Sequence, residues 1–268
     1  MSQVLSILTY CKVGFCDCLS LEIIDARFVL RRKYILVRLQ VGAHFLVAVC
    51  PACGQSLFVK FGSDETRVRC LRCRATPISL SLIDVVSKNI GSLAGMSVYE
   101  ASSRGAVVAY MREHALSVAT SEYFPGVHSG DYKDGIQCQN LEALAFESES
   151  FDLCTSTEVF EHVGEDLRAF REILRVLRPG GTLAFTVPLY AHPVTVQRAI
   201  VENGKTVQLL PASFHGDRLT GANSVLVFRE YGLDIVGRVR SAGFSSVELQ
   251  ETSERWFDFS RRVIVARK

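Results

Sequence analysis

From residue 96 onward, the chain alternates between short apolar segments that favour strands and amphipathic segments that favour helices. This alternation is typical of parallel strands joined by crossover helices, which cover both faces of one sheet. The sequence therefore predicts five strands and three helices in this region. The strands are expected at 96–100, 116–121, 135–139, 150–155 and 181–187, and the helices at 104–114, 158–163 and 165–177.

The last part of the chain predicts how this sheet ends. After an irregular segment at 188–229, the pattern favours a helix near 230–242 and strands at 245–250 and 262–267. Two terminal strands with a short link favour an antiparallel pair at one edge of the sheet. With the five earlier strands, they predict an α/β, Rossmann-like fold: a seven-stranded, mostly parallel sheet with helices on both faces.

Two C-x-x-C pairs precede the α/β region. Cys50 and Cys53 lie in CPACG, Cys70 and Cys73 lie in CLRC, and 16 residues separate the two pairs. Four thiolates in two such turns can surround one Zn²⁺ tetrahedrally, and the metal then stabilises a module whose own core is small. The spacing predicts a zinc ribbon with a structural ion, because cysteine fills every ligand position. Free or redox-active thiols are the alternative.

These features divide the 268 residues into three parts. They are an extension of uncertain structure at 1–43, the zinc ribbon at 44–78 and the α/β domain at 79–268, in which 188–229 is expected to cover a substrate. Nine cysteines, an odd number, indicate a reducing compartment rather than a secreted disulfide frame. Neither a membrane-spanning run nor a clean signal peptide is recognisable. We expect a cytoplasmic protein without a membrane partner.

Polar side chains stand where three successive strands are expected to end. Glu100 closes the first strand, Glu122 follows the second, and Asn140 follows the third. Open parallel sheets bind ligands beyond the carboxyl ends of their strands, where an acid accepts hydrogen bonds from ribose hydroxyls. The sequence therefore predicts a nucleotide-containing cofactor at this edge, with solvated strand ends as the alternative.

Two later segments are more specific. FDLCTSTEVFEHV at 151–163 and REILRVLRPGGTLAFTVP at 171–188 resemble the class I S-adenosylmethionine-dependent methyltransferases, in particular their type 11 group. The resemblance covers roughly 94–190 and, more loosely, the remainder to 268. It implies S-adenosyl-L-methionine as the cofactor and methyl transfer as the activity.

The same resemblance implies which residues contact the cofactor. They are Glu100, Ala101, Ser102 and Gly105 around the methionine part, Glu122 at the ribose, Asn140 and Leu141 at the adenine, and Thr155 and Ser156 near the sulfonium. The turn departs from the family pattern, since glycines are usual where this chain has Ala-Ser-Ser at 101–103. Small side chains still let the backbone approach a ligand. An altered but competent turn is therefore predicted.

Methyl transfer to a hydroxyl requires alignment of the acceptor with the methyl group and removal of one proton. Glu158, Glu161 and His162 are spaced so that one helix face can present all three beside the cofactor. The resemblance includes ubiquinone-pathway O-methyltransferases, in which this pattern binds a divalent metal; a packing or capping role is the alternative for His162. His215, in PASFHGDRL of the 188–229 segment, is the predicted general base.

Two acceptors and one non-enzymatic function are considered. The preferred acceptor is a small molecule or saccharide. The alternative is RNA bound by the zinc module. A zinc-bearing module ahead of this kind of domain resembles bacterial ribosomal RNA guanine methyltransferases, and residues 1–78 carry 11 Lys and Arg against 5 Asp and Glu. Four of these basic residues surround the second cysteine pair: Arg67, Arg69, Arg72 and Arg74. A catalytically inactive protein that binds a partner through its zinc ribbon is the hypothesis from another class.

Overall fold

The structure is a computed structural model that describes residues 35–38, 43–216, 225–252 and 254–268. Its first part is a four-stranded antiparallel sheet, in which each strand pairs with the next along the chain. Its strands are β1 (Ile35–Arg38), β2 (His44–Cys50), β3 (Gly54–Lys60) and β4 (Val68–Cys70). Apart from β1, nearly all of the extension predicted at 1–43 lies outside the described residues. We refer to residues 44–75 as the cysteine module.

The remainder of the described chain forms the α/β region and a set of small hairpins. A 3-10 helix at Phe160–His162 lies between β9 and α3. The elements in chain order are α1 (Pro77–Ile90), β5 (Ser97–Glu100), α2 (Ala106–His114), β6 (Ser117–Thr120), β7 (Tyr132–Lys133), β8 (Ile136–Gln137), β9 (Phe151–Thr157), α3 (Asp166–Val176), β10 (Leu177–Thr186), β11 (Val196–Gln197), β12 (Ala199–Glu202), β13 (Lys205–Gln208), β14 (Phe214–His215), β15 (Val225–Leu226), β16 (Arg229–Glu230), α4 (Ile235–Ser241), β17 (Ser246–Glu251) and β18 (Arg262–Arg267).

The central sheet has the order β17-β18-β10-β9-β5-β6. The strands β6, β5, β9 and β10 run parallel, whereas β18 is antiparallel to both β10 and β17. This arrangement confirms the predicted Rossmann-like α/β fold and its antiparallel terminal pair. Because β6, β5 and β9 are parallel neighbours, their carboxyl ends lie at the same edge of the sheet.

One strand of the predicted seven is absent from this sheet, which has six strands among the described residues. The predicted strand at 135–139 instead forms the short hairpin β7–β8. Asp134 and Gly135 join its two strands with φ values of 51° and 76°. Consecutive positive φ values at an Asp-Gly pair are typical of a two-residue hairpin turn. Beyond that hairpin, a single parallel bridge between Glu122 and Cys138 continues the direction of β6.

Alternating residues of the sheet bury opposite faces, as the period of a strand requires. Val98, Leu153 and Ala184 pack with α1 and α2 in one apolar cluster. Their neighbours point the other way, where Tyr99 and Cys154 join α3 and α4 in a second cluster. Both faces of the sheet are therefore covered by helices, and its functional groups are confined to the strand ends.

Candidate functional site

The ends of β5, β6 and β9 bring two acidic side chains to one short turn. The Ser102 hydroxyl donates to Glu100 Oε1 over 2.8 Å, and the Thr155 hydroxyl donates to Glu100 Oε2. The backbone N–H of Ser103 donates to Glu122 Oε1 over 2.7 Å. Residues 101–103 thus connect the carboxylates of Glu100 and Glu122. We call Glu100, residues 101–103 and Glu122 the cofactor cradle, after the cofactor that the sequence predicts at this edge.

Glu100 is completely buried at the base of this cradle. Burial raises the pKa of its carboxyl group to about 7, and the nearby Glu122 adds to that shift. The hydrogen bonds from Thr155 and Ser102 oppose it by favouring the charged form. The site therefore holds an acid that titrates near neutral pH and is positioned by two hydroxyl groups.

Only one residue of this turn has a positive φ value, and it is a glycine. Gly105 precedes α2 with φ 112° and ψ −178°, a conformation that is essentially restricted to glycine. Residues 101–104 all have negative φ values, so their side chains introduce no backbone strain. The Ala-Ser-Ser segment is therefore compatible with the backbone path of this turn, and cofactor binding by the turn stays a prediction.

The predicted adenine contacts are placed less simply. Leu141 is buried in the core, and Asn140 Oδ1 accepts the Glu142 N–H over 2.9 Å. The preceding residue was missed by sequence reasoning: Gln139 is 2% exposed, its N–H donates to the Glu122 carbonyl, and its Nε2 has no hydrogen-bond partner among the described residues. The hydroxyl of the predicted contact Ser156 is likewise buried without such a partner. Both groups can donate to a ligand at this edge.

A second cluster joins the residues after β9 to the strands β11 to β16, which we call the hairpin segment. Glu161 is 1% exposed, and neither of its carboxylate oxygens has a hydrogen-bond partner among the described residues. His162 Nε2 and His215 Nδ1 each lie 3.7 Å from Glu161 Oε1. The two imidazole rings meet edge-on with centroids 5.0 Å apart. The structure thus brings together the three residues predicted to be catalytic, although 52 residues of the chain lie between His162 and His215.

The electrostatics of this cluster suit proton transfer. Burial raises the pKa of Glu161 well above its usual range, and the nearby Glu158 raises it further. Burial lowers the pKa of His215 below its ordinary value of 6.5, which leaves the imidazole neutral at pH 7. The Nδ1 of His162 lies 2.8 Å from the Leu226 carbonyl. Because a carbonyl can only accept, Nδ1 of His162 carries a proton, and its Nε2 is the ring nitrogen that faces Glu161.

The expectation that Glu158, Glu161 and His162 share one helix face is wrong. The predicted helix at 158–163 is reduced to the 3-10 helix Phe160–His162. Glu158 precedes it with φ 54° and lies 3.7 Å from Arg261 Nη2 instead. The positive φ value breaks the helical path, so the i, i+3 relation of the two glutamates is lost.

An anchor beneath this cluster was also missed. Arg229 is 1% exposed, and its guanidinium donates to the carbonyls of Phe160, Val163 and Gly164. It lies 3.5 Å from Asp166, which is also buried and pairs with Arg238. The arginine therefore fastens the hairpin segment to the 3-10 helix. A fully buried arginine at the start of a two-residue strand gives no recognisable sequence signal.

The four predicted zinc ligands converge in the cysteine module. The sulfurs of Cys50 and Cys73 lie 3.6 Å apart, as do those of Cys53 and Cys70. Sulfurs around a tetrahedral zinc with bonds of about 2.3 Å are separated by about 3.8 Å, so the donor set fits that ion. A hydrogen bond from Cys50 lowers the pKa of Cys73 to about 5, which favours the thiolate form that a metal binds. Each pair is followed by a residue in the left-handed region, Gly54 and Arg74.

One segment of the chain matches a known family, and this segment includes the cofactor cradle. Residues 90–185 match the model of a family described as a methyltransferase domain. The ubiquinone biosynthesis O-methyltransferase of Stutzerimonas stutzeri is 31% identical over 130 residues, which are 47% of this chain and 54% of that protein. The protein of the same name from Xanthomonas campestris pv. campestris is 38% identical over 78 residues, 29% of this chain and 32% of that protein.

A third protein of that name, from Coxiella burnetii, is 36% identical over 50 residues, which are 19% of this chain and 21% of its own length. The chain thus spans about half or less of the curated relatives it matches. A solved S-adenosylmethionine-dependent methyltransferase from Mesorhizobium loti aligns with a TM-score of 0.46 and 14% identity, over 69% of this chain and 96% of that one. In the described parts of the chain, every helix is too short or too polar to cross a membrane.

Proposed function

We propose that this chain is an S-adenosylmethionine-dependent methyltransferase that acts on a hydroxyl group of a small molecule. The observation that carries the proposal is the pair of carboxylates at the ends of neighbouring strands, joined by one turn, within the segment that matches a methyltransferase domain. Ligands of open α/β sheets bind at this edge. The orphaned polar groups of Gln139 and Ser156 support a ligand there.

The proposed cofactor contacts follow from these positions. Glu122 would accept hydrogen bonds from the ribose, and Gln139 and Asn140 would face the adenine. Glu100, with Ala101, Ser102 and Gly105, would surround the methionine part, and Thr155 and Ser156 would form the floor. Bound S-adenosyl-L-methionine supplies an electrophilic methyl group on a sulfonium, so the protein needs to align the acceptor and remove its proton.

His215 is the proposed general base. Its lowered pKa keeps the imidazole neutral at pH 7, and Glu161 lies on its Nδ1 side. Nε2 of His215 would take the proton of the acceptor hydroxyl as the oxygen bonds to the methyl carbon and the carbon–sulfur bond breaks. The products are a methyl ether and S-adenosylhomocysteine, with the proton on the imidazole. The positive charge of the resulting imidazolium would favour the ionised form of the neighbouring Glu161, which would in turn stabilise it.

The same cluster supports one alternative role. One ligand atom from each of Glu161, His162 and His215 lies within 4.8 Å of the others, which suits a divalent cation. A cation there would activate the acceptor hydroxyl directly, and His215 would be a ligand rather than a base. Turnover that is abolished by a chelator and restored by Mg²⁺ or Mn²⁺ would favour this role over general base catalysis.

A small-molecule acceptor is preferred over RNA. The matched relatives are named for ubiquinone biosynthesis, which is chemistry on a small molecule. In the cysteine module, the Arg72 guanidinium donates to the Cys53 carbonyl over 2.8 Å and that of Arg69 to the Val68 carbonyl over 2.6 Å. Two of the four arginines thus bond the module itself. Salt-sensitive binding of ribosomal RNA that is lost on changing the four arginines would reverse this preference. A saccharide acceptor remains a prediction.

A structural Zn²⁺ is proposed at Cys50, Cys53, Cys70 and Cys73. The donor set leaves no ligand position for a substrate. Metal analysis of purified protein should give about one zinc per chain, lost when Cys50 and Cys73 are replaced by serine. A stoichiometry near zero in protein purified under reducing conditions would contradict the assignment.

The experiment that tests the proposed function is a calorimetric titration with S-adenosylhomocysteine. We expect saturable binding that is weakened in Glu122→Gln, which replaces the charged ribose acceptor with a neutral amide. Glu147→Gln, an exposed change in a loop, is the matched control and should bind like the wild type. Absence of binding heat at several temperatures would contradict the proposal and favour the inactive, partner-binding hypothesis.

A further inference from the structure

The connection between β17 and β18 leaves the central sheet and packs on the cysteine module. Trp256, from this connection, is 1% exposed and lies in the apolar cluster of the module with Phe58 and Leu80. Its ring centroid is 6.3 Å from that of Phe58. The module therefore shares its core with the catalytic region, because one of its largest buried side chains comes from the last part of the chain.

Arg261, at the end of this connection, joins the module to the strand end of the site. Its Nη2 lies 2.5 Å from Glu65 Oε1 and 3.7 Å from Glu158 Oε2. Its backbone N–H donates to the Ser81 hydroxyl of α1 over 2.8 Å. Glu65 belongs to the 3-10 helix Glu65–Arg67, between β3 and β4 of the module. One guanidinium thus bridges the module and the residue that follows β9.

Glu158 is the point at which this link reaches the site. It adopts a φ of 54°, which is strained for a residue with a side chain and persists only where its surroundings impose it. The strained residue directly precedes the segment that carries Glu161 and His162. Two contacts constrain this residue: its backbone N–H donates to the Thr186 carbonyl over 3.0 Å, and its side chain lies 3.7 Å from Arg261 Nη2. Of the two, the contact with Arg261 is the one that leads to the cysteine module.

A second contact reaches the other half of the site. Ala106, the first residue of α2, packs against the same apolar cluster, which includes the ligand cysteines Cys50 and Cys70. Ala106 directly follows Gly105, the glycine of the cofactor turn. Loss of order in the module would therefore loosen the turn as well as the segment after β9.

We propose that the cysteine module is a built-in support of the methyl-transfer site, and that Glu65 and Arg261 are positioning residues that hold Glu158 and the segment after it. The inference rests on the proposed function. It assigns the metal at the four cysteines a role in the order of the catalytic edge, in addition to the fold of the module itself.

The test compares two charge-neutralising variants of the full zinc-loaded chain. Glu65→Gln breaks the pair with Arg261. Glu251→Gln is the matched control, because it breaks an exposed 2.7 Å pair with Arg262 and leaves the pair between Glu65 and Arg261 intact. Amide hydrogen exchange is measured over 100–106 and 156–162, and affinity for S-adenosylhomocysteine is measured by calorimetry.

We expect Glu65→Gln to accelerate exchange over 156–162 and to weaken ligand binding by about fivefold, the ratio that corresponds to about 1 kcal/mol. The control should change neither quantity. Wild-type exchange in Glu65→Gln would overturn the inference. If Glu65→Gln loses zinc, Arg261→Gln breaks the same link while leaving the module sequence intact, and the same outcomes apply.

The two levels of the proposal fail separately. A wild-type protein that does not bind S-adenosylhomocysteine contradicts the proposed function, whereas the exchange comparison still decides whether the module supports the strand end. Unchanged binding together with unchanged exchange in both link variants contradicts the support alone.

Discussion

The cofactor cradle and the Glu161–His162–His215 cluster lie at the same edge of the sheet but are built in opposite ways. In the cradle, both carboxylates accept hydrogen bonds from residues within a short turn or on an adjacent strand. In the cluster, the buried Glu161 carboxylate has no hydrogen-bond partner among the described residues, and one of its two histidine neighbours, His215, comes from a distant hairpin. A satisfied cradle is typical of rigid binding, whereas an unsatisfied acid is typical of a group that acts on a ligand or proton.

The largest expected effect separates the cluster from the cradle. His215→Ala should lower kcat by about 10² to 10⁴-fold, the usual contribution of a positioned base, while S-adenosylhomocysteine affinity stays unchanged. Single-turnover kinetics and calorimetry measure the two quantities. His192→Ala, elsewhere in the same segment, is the control. Unchanged turnover in His215→Ala would remove the base assignment and leave only the cradle.

The wild-type pH profile sharpens the same assignment. Because burial lowers the pKa of His215, the neutral form persists to a pH below 6.5. The acidic limb of kcat, measured with both substrates saturating so that titration of Glu100 in the free protein does not enter it, should therefore fall below pH 6.5. It should disappear in His215→Ala, measured on the residual rate. An acidic limb above 6.5 would point to another base.

The next effect tests how the cluster is held in place. Arg229→Met should destabilise the protein by about 3 to 5 kcal/mol, because it leaves the buried Asp166 with one fewer cationic partner and three carbonyls without their donor. Chemical denaturation gives the free energy of unfolding. Arg262→Met, in an exposed pair, should change it by at most about 1 kcal/mol. Equal losses in both variants would mean that Arg229 is no special anchor.

Glu100→Gln tests the cradle by separating stability from binding. The folded-state pKa of about 7 lies above the usual 4.5, so the folded protein binds more protons than the unfolded chain between these values. Stability contributed by this group is therefore lost as pH rises from 4.5 to 7, by about 3 kcal/mol in total. The variant should be at least as stable as the wild type at pH 8, yet bind the cofactor weakly.

Thermal unfolding at pH 5 and pH 8, with calorimetry at pH 8, measures both consequences of this substitution. A variant that is less stable than the wild type at pH 8 would show that the buried carboxylate stabilises the turn after all.

The smallest effect concerns the turn backbone. Gly105→Ala should cost about 1 to 3 kcal/mol from its φ of 112°, although no atom lies within 4 Å of the added methyl group. Gly95→Ala is the matched control, since its surroundings are equally open and its φ is not in the left-handed region. Chemical denaturation compares the two. Equal stabilities would mean that residues 101–105 have a different backbone in solution.

The sequence predicted the sheet, its antiparallel edge and the four convergent cysteines, because each rests on a local period or spacing. It failed where one residue changed the local path. Asp134 and Gly135 turned an expected strand into a hairpin, and the positive φ of Glu158 interrupted an expected helix. Asp-Gly is a readable hairpin signal, whereas nothing local distinguishes Glu158 from a helical residue.

By itself, the sequence determined the alternation of strands and helices, the two C-x-x-C pairs, and the acidic residues at the strand ends. Only the tertiary structure decided that Glu158 pairs with Arg261 rather than with its own helix, that His215 reaches Glu161, and that Trp256 completes the core of the module. Hydrophobic periods and residue spacings depend on interactions within a few residues, so they predict each helix, strand or turn separately. Contacts between distant elements depend on how complete elements pack, which no local pattern encodes.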